Sequence, residues 1–247
     1  MQVWDDLGKE ITIESPPKRI VSLVPSQTET LSDLGLDSEV LGITKFCVHP
    51  EPWLQEKTLI GGTKNPNIEK IRQLKPDLVI ANKEENLKNH VQEIEEFAPV
   101  YTTDVSDYKS ALKMILNLGI LTGKEAEAKE WNQKIQDKFK NKASQLGSAI
   151  YLIWANPYLS VGGDTFINSM LQKYGFQNLL QDENRYPEIS KEAIIDLKPD
   201  YLLLSSEPYP FASKHLLEWK SILPQTEVFL VDGEKFSWYG TRMGKYD

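Results

Sequence analysis

A chain of 247 residues with 40% hydrophobic and 26% charged side chains has ordinary globular composition, enough for one large domain or two lobes that each bury a core. Its 28 Lys and Arg against 36 Asp and Glu leave a formal charge of −8, which repels phosphate backbones, and no basic run offsets it locally, so nucleic acid is excluded as a partner. A single cysteine, Cys47, excludes an internal disulfide and leaves the redox compartment open.

The first residues, Met1-Gln2-Val3-Trp4-Asp5-Asp6, show no basic region followed by an apolar one, and no stretch reaches the ~20 apolar residues of a spanning helix. The chain as written is expected to be soluble, either trimmed of a leader or resident in the cytoplasm.

Arg19 to Val24 is a β-branched run that predicts a buried strand ending at Pro25. A helix follows, with Ser26-Gln27-Thr28-Glu29 matching a capping box, and it ends near Gly35. Val40 to Thr44 predicts a second strand, Ile68 to Leu74 a short helix, and Leu78 to Ala81 a third strand after Lys75-Pro76-Asp77. Alternating strands and helices predict a parallel α/β layer whose ligand-facing loops follow the strand carboxyl ends.

From Tyr108 the pattern turns helical. Ala111, Met114, Ile115 and Leu118 follow helical spacing, Gly123 interrupts, and Ala128, Trp131, Ile135 and Phe139 resume it. A helix over Glu125 to Ser144 would run ~30 Å and join two lobes rigidly. Strand Ala149 to Trp154, the turn Asn156-Pro157-Tyr158 and Gly162-Gly163-Asp164-Thr165 opening a helix to Gly175 then repeat the earlier plan. Residues Asn67 to Leu78 align without gaps to Ser190 to Tyr201, at a constant offset of 190 − 67 = 123. Two copies mean a duplicated lobe, with a ligand cleft expected between the halves.

The expected fold class is therefore α/β, two similar lobes with mainly parallel sheets joined by one long rigid helix. The N-terminal lobe is expected over 1–107, the helical segment over 108–146 and the C-terminal lobe over 147–247. The strand-to-Pro25-Ser26 turn with Thr28-Glu29, the paired Leu-Lys-Pro-Asp segments, the long helix and the Asn156-Pro157…Gly162-Gly163 turn together resemble the class III periplasmic binding proteins of ABC importers, nearest those for cobalamin.

That resemblance implies a receptor that delivers cobalamin, a ferric siderophore or haem to an importer, with no intrinsic cofactor and no catalysis. It implies transporter docking by Glu69 and Glu192, a periplasmic or membrane-surface location and a monomer. A carboxylate in a first helical turn is also favoured by the macrodipole wherever it occurs, so the two glutamates have a plainer reading as well.

The resemblance and the loop positions together nominate ligand contacts. Pro25, Ser26, Thr63, Glu84 and Glu85 come from the first lobe, and Tyr158, Tyr186, Glu207, Tyr209, Trp238, Tyr239 and Arg242 from the second, with Arg242 suited to pairing a propionate or phosphate. His49, where cobalamin-binding relatives place a tyrosine, is a candidate metal ligand, as is Cys47 two residues before it. The plainer reading makes Cys47 a small buried hydrophobe and His49 a hydrogen-bonded residue. Two alternatives stay open: a chelatase-like enzyme using His49 with Glu84 or Glu207, and a cytoplasmic protein that buffers a chelate.

Overall fold

Short β-branched runs pair edge to edge into two separate parallel sheets in this computed structural model, which describes residues 2–141 and 144–245. The chain begins with an antiparallel hairpin, β1 (Gln2–Trp4) and β2 (Glu10–Thr12), which periodicity alone did not reveal. Next come β3 (Ile20–Ser22), α1 (Pro25–Asp33), β4 (Val40–Ile43), α2 (Trp53–Glu56), β5 (Thr58–Leu59), α3 (Ile68–Gln73), β6 (Leu78–Asn82), α4 (Lys88–Glu95) and β7 (Val100–Thr103). The five parallel strands lie in the order β5-β4-β3-β6-β7, and β3 and β6, both buried along their length, form its centre.

Two helices follow, α5 (Tyr108–Thr122) and α6 (Glu125–Lys138), broken at Gly123, whose φ of +72° suits glycine. The helix expected over Glu125 to Ser144 thus stops at Lys138, and residues 142 and 143 of that span lie outside the described ones. The second sheet is built from β8 (Gly147–Leu152), α7 (Phe166–Lys173), β9 (Phe176–Asn178), α8 (Lys191–Leu197), β10 (Tyr201–Ser205), α9 (Ser213–Ile222), β11 (Glu227–Val231) and α10 (Glu234–Ser237). Its parallel order is β11-β10-β8-β9. A 3₁₀ turn, Thr241–Gly244, closes the described chain.

The contacts define two compact units, Met1–Val105 with Lys109–Gln136 and Tyr239–Asp247, and Ser106–Tyr108 with Asp137–Trp238. The helical segment expected to stand apart over 108–146 therefore belongs mostly to the first unit, because Ala111, Met114, Ile115, Leu118, Ala128 and Ile135 are all buried. The described residues from Tyr239 onward, expected in the second lobe, also belong to the first unit, because Arg242 and Lys245 pair with Glu29 of α1.

The repeated segment is a repeat in detail. Asn67 and Ser190 cap α3 and α8 by accepting from the amides of Lys70 (2.9 Å) and Ala193 (3.1 Å). Lys75 and Lys198 then turn the chain with φ of 45° and 47°. Asp77 accepts from the amides of Lys18 (2.8 Å) and Arg19 (2.9 Å) at the entrance of β3, and Asp200 accepts from the amide of Ser148 (2.7 Å) in β8.

The capping box expected at Ser26 is not formed. Val24, extended at φ −132°, is the residue before the helix, and Pro25, with its fixed φ, takes the first helical position. Glu29 is therefore too far along α1 to reach back to the cap, and it turns to Arg242.

Gly240 carries the chain into the 3₁₀ turn at φ +93°, and a Cβ there would overlap the Thr30 hydroxyl. Gly240→Ala is expected to cost at least about 2 kcal/mol in urea denaturation. Gly8→Ala, also at positive φ but with nothing within 4 Å of a Cβ, should cost only about 1 kcal/mol. Equal losses would show that the close seat on α1 contributes nothing.

Candidate functional site

In a parallel sheet the strand ends all lie on one side, so the loops after β3, β4 and β6 gather on one face of the first unit. Helix α1 starts there with a run of polar residues, Ser26, Gln27, Thr28, Glu29 and Thr30, every one of them buried. Buried polar groups need partners, and most of these have one. Gln27 Nε2 donates to Thr103 Oγ1 (2.5 Å) and to the Tyr239 hydroxyl (3.3 Å), which itself donates to Glu85 Oε1 (3.3 Å). Thr103 also accepts from Asn82 Nδ2 (3.1 Å) and donates to the Ala81 carbonyl (3.1 Å).

Two atoms of the set are left over: Ser26 Oγ and Gln27 Oε1 are buried without a hydrogen-bond partner. The Ser26 hydroxyl lies close enough to Tyr239 to favour its ionised form, but not in hydrogen-bonding geometry. Burial, then the nearby Glu85 carboxylate, holds the Tyr239 phenol well above its ordinary value, so this tyrosine acts as a neutral donor.

Glu84 and Glu85, both half-buried, are set by Asn82, whose Oδ1 accepts from their amides at 2.9 and 3.3 Å. Asn86 Oδ1 in turn accepts from the Asn82 amide (2.8 Å), and its Nδ2 donates to the Thr63 carbonyl (3.0 Å). Thr63 thus contributes its backbone to the turn. Pro25 is half-buried at the start of α1.

Arg242 pairs with a carboxylate of α1. It is 3% exposed, with Nε donating to Glu29 Oε2 (2.8 Å), while Lys245 bridges Glu29 Oε1 (2.8 Å) and Asp33 Oδ2 (2.7 Å). A buried carboxylate must be paired, and Glu29 takes the guanidinium that the sequence suggested for a propionate. Cys47 is likewise turned inward. Its thiol is buried between Thr28 Oγ1 (3.1 Å) and Thr44 Oγ1 (3.2 Å), and burial raises its pKa, which opposes the thiolate a metal needs. His49 lies half-buried in the turn after β4. Among the described residues, no three His, Cys, Asp or Glu side chains group to hold a metal ion.

The second unit offers rings. The loop after β8 brings up Trp154, 40% exposed, and the loop after β10 brings up Tyr209, their centroids 5.6 Å apart. Tyr209 also packs edge-on to Phe211 (4.8 Å) and accepts from or donates to His215 Nε2 (3.3 Å). His215 Nδ1 accepts from the Ala212 amide (2.9 Å), which leaves the proton of the neutral ring on Nε2, facing Tyr209. Tyr158 is half-buried against Trp219 (5.4 Å), a packing position. Tyr186 is 41% exposed beside Arg185.

Glu207 accepts from the Ser237 hydroxyl (2.6 Å) and Trp238 Nε1 (3.1 Å), so it fixes the Trp238 ring. Burial raises its carboxyl pKa against the pull of those two donors, and repulsion from Glu234 and Asp232 adds to the rise. Tyr239, the very next residue, belongs to the first unit.

The sequence profile of the Periplasmic binding protein family matches residues 20–220. The chain belongs to that family. Among curated members it is 28% identical, over 97% of its own length and 80% of the relative's, to the uncharacterized ABC transporter substrate-binding lipoprotein YvrC of Bacillus subtilis. It is 26% identical to a cobalamin-binding protein of Halobacterium salinarum, over 91% of this chain and 64% of the relative. A solved structure of a possible iron-binding periplasmic solute-binding protein from Staphylococcus epidermidis has the same fold, with a TM-score of 0.78, 24% identity and coverage of 94% of this chain and 96% of the other.

In this periplasmic binding protein Gln27, Trp154 and His215 join the groups at the strand ends, although no sequence motif singled them out. Trp154 had a visible signal, an aromatic residue at the end of a strand just before Asn-Pro. Gln27 had none, since its role depends on Tyr239, 212 residues away.

Because the Glu207 carboxyl is raised on folding, its ionisation opposes the folded state. The stability present below the unfolded carboxylate value is lost as pH rises through the folded one. Glu207→Gln, which keeps an acceptor for Ser237 and Trp238, should therefore melt progressively higher than the native protein as pH rises from acid toward neutral. A difference in melting temperature that stays constant with pH would remove the carboxylate from this account.

Proposed function

We propose that this chain is the solute-binding receptor for a metal chelate, cobalamin first and then a ferric siderophore or haem, and that it hands the chelate to an ABC importer. The observation that carries the reading is the repeated helix start. In each unit a capped helix presents a glutamate, Glu69 or Glu192, exposed at its second position. Two equivalent carboxylates on equivalent frames suit two equivalent membrane subunits, and neither is used by its cap.

The strand-end loops supply the ligand contacts. Trp154, Tyr186, Tyr209 and Trp238 offer amphipathic ring faces to a macrocycle, while Ser26, Glu84, Glu85 and Glu207 meet polar groups at its edge. His49 coordinates the metal of the bound chelate through a neutral imidazole. The receptor acts as a monomer outside the cytoplasmic membrane. Among the described residues no helix is long and apolar enough to cross that membrane.

Titrating the protein with cyanocobalamin, aquocobalamin, haemin and a ferric catecholate, followed by visible absorbance, tests the ligand. A saturable shift with one of the four is expected, with its spectrum changed in His49→Ala. No response to any of them would remove the chelates named here. For docking, Glu69→Ala with Glu192→Ala should lower uptake through the reconstituted importer by at least about tenfold, the equivalent of about 1.4 kcal/mol of lost contact. The dissociation constant for the chelate should stay within about twofold. Undiminished uptake would take the two glutamates out of the interface.

A further inference from the structure

The first unit contains a cavity of about 350 Å³ that the chelate reading does not use. The turn of the β1–β2 hairpin (Asp5, Leu7, Lys9) forms one wall, and α4 (Lys88, Val91, Gln92, Glu95) forms another. Asn82, Lys83, Asn86 and Thr102 complete the lining, whereas Glu84 and Glu85 do not line it. The volume lies at the low end for small-molecule sites and is too small for a macrocyclic chelate.

The lining carries donors that no protein acceptor uses. Thr102 is 3% exposed, yet its hydroxyl has no partner among the described residues. The start of α4 is uncapped: Leu87 provides no side-chain acceptor, and the first helical bonds run from His90 (3.0 Å) and Val91 (3.1 Å) to Leu87. The amides of Lys88 and Asn89 are thus left without protein acceptors among the described residues.

The charges of the lining are mostly spent. Lys9 pairs with Glu95 (2.7 Å), Lys83 with Asp104 (2.6 Å), and Asp5 Oδ1 accepts from the amides of Leu7 (2.9 Å) and Lys9 (2.8 Å). Lys88 has no ion pair among the described residues, and it occupies a first helical turn, where the macrodipole disfavours a cation. An anion beside it would relieve that repulsion and satisfy the free amides. Leu7, 52% exposed, and Val91 offer apolar surface beside the same donors.

We infer that this cavity is a second binding site, for a small amphiphilic carboxylate. The carboxylate is held by the ammonium and the amide of Lys88 and by the Thr102 hydroxyl, and the apolar body lies against Leu7 and Val91. The site lies outside the side chains proposed to contact the chelate and the importer.

Hexanoate is the probe, read by backbone-amide NMR shifts of the whole chain, with hexanamide as the uncharged analogue and inorganic phosphate as the anion without an apolar body. Hexanoate is expected to shift Lys88, Asn89 and Thr102 saturably with a dissociation constant below about 1 mM, and hexanamide and phosphate to bind at least about tenfold more weakly. Lys88→Gln and Thr102→Val, which suit a helix and a strand respectively, should each weaken hexanoate at least about fivefold while leaving the rest of the spectrum in place. The inference is overturned by any of four results: no saturable shift up to about 10 mM hexanoate, shifts centred elsewhere, equal binding of hexanamide or phosphate, or variants that bind as the native protein does. None of these outcomes bears on chelate binding.

Discussion

Each unit depends on one aspartate that grips the start of its central strand. Asp77 accepts from two successive amides as the chain enters β3, and Asp200 does the same service for β8 through the amide and hydroxyl of Ser148. Each aspartate also begins the strand that pairs with the one it grips, Ile20 facing Leu78 in the first sheet and Ala149 facing Tyr201 in the second. In a parallel sheet, fixing where two neighbouring strands begin also fixes where they end. The loops that leave those ends are therefore delivered to the same level, which is the precondition for any shared binding face.

The first unit adds a second constraint. Helix α1 buries a carboxylate, Glu29, and a buried carboxylate is tolerated only with close, well-aligned partners. Arg242 and Lys245 are those partners, so the segment that carries them must lie on α1. Gly240 and Tyr239 follow from that seat, and Tyr239 then completes the chain of hydrogen bonds from Gln27 to Glu85. An ion pair made for burial thus places a phenol among the buried polar groups at the start of α1.

The fold was legible because its signals are local. A β-branched run ending at Pro25, the Leu-Lys-Pro-Asp turns and the Asn67 and Ser190 caps each depend on neighbours in sequence, and each is found where periodicity and turn chemistry place it. Short edge strands such as β5 and β9, two or three residues long, carry too little pattern to stand out. The site was less legible, because its chemistry is set by distant partners. Nothing near Arg242 reveals that Glu29 will claim it, and nothing near Cys47 reveals that Thr28 and Thr44 will enclose its thiol. Ser26 looked like a cap because its hydroxyl precedes a glutamate by three, but Pro25 had already started the helix.

The two copies of the repeat show which positions the fold holds and which it leaves to function. At the offset of 123, Asn67 becomes Ser190, Lys75 becomes Lys198 and Asp77 becomes Asp200, and cap, turn and grip all survive. Beyond the strand the two loops part company. Glu84 corresponds to Glu207 (84 + 123), but Glu85 meets Pro208 and Asn86 meets Tyr209. In the first unit Asn82 and Asn86 build the turn from amide side chains, whereas in the second Ser205 Oγ accepts from the Glu207 amide and donates to its carbonyl. The first bend after the strand is thus secured by different side chains in the two copies, and the chain diverges beyond it, where Glu207-Pro208 is a cis peptide and Glu84-Glu85 is not. One copy places there a carboxylate that holds a tyrosine, the other a carboxylate that holds a tryptophan. The cap, turn and grip are thus held by the fold in both copies, while the loop that follows is free to differ in chemistry from one unit to the other.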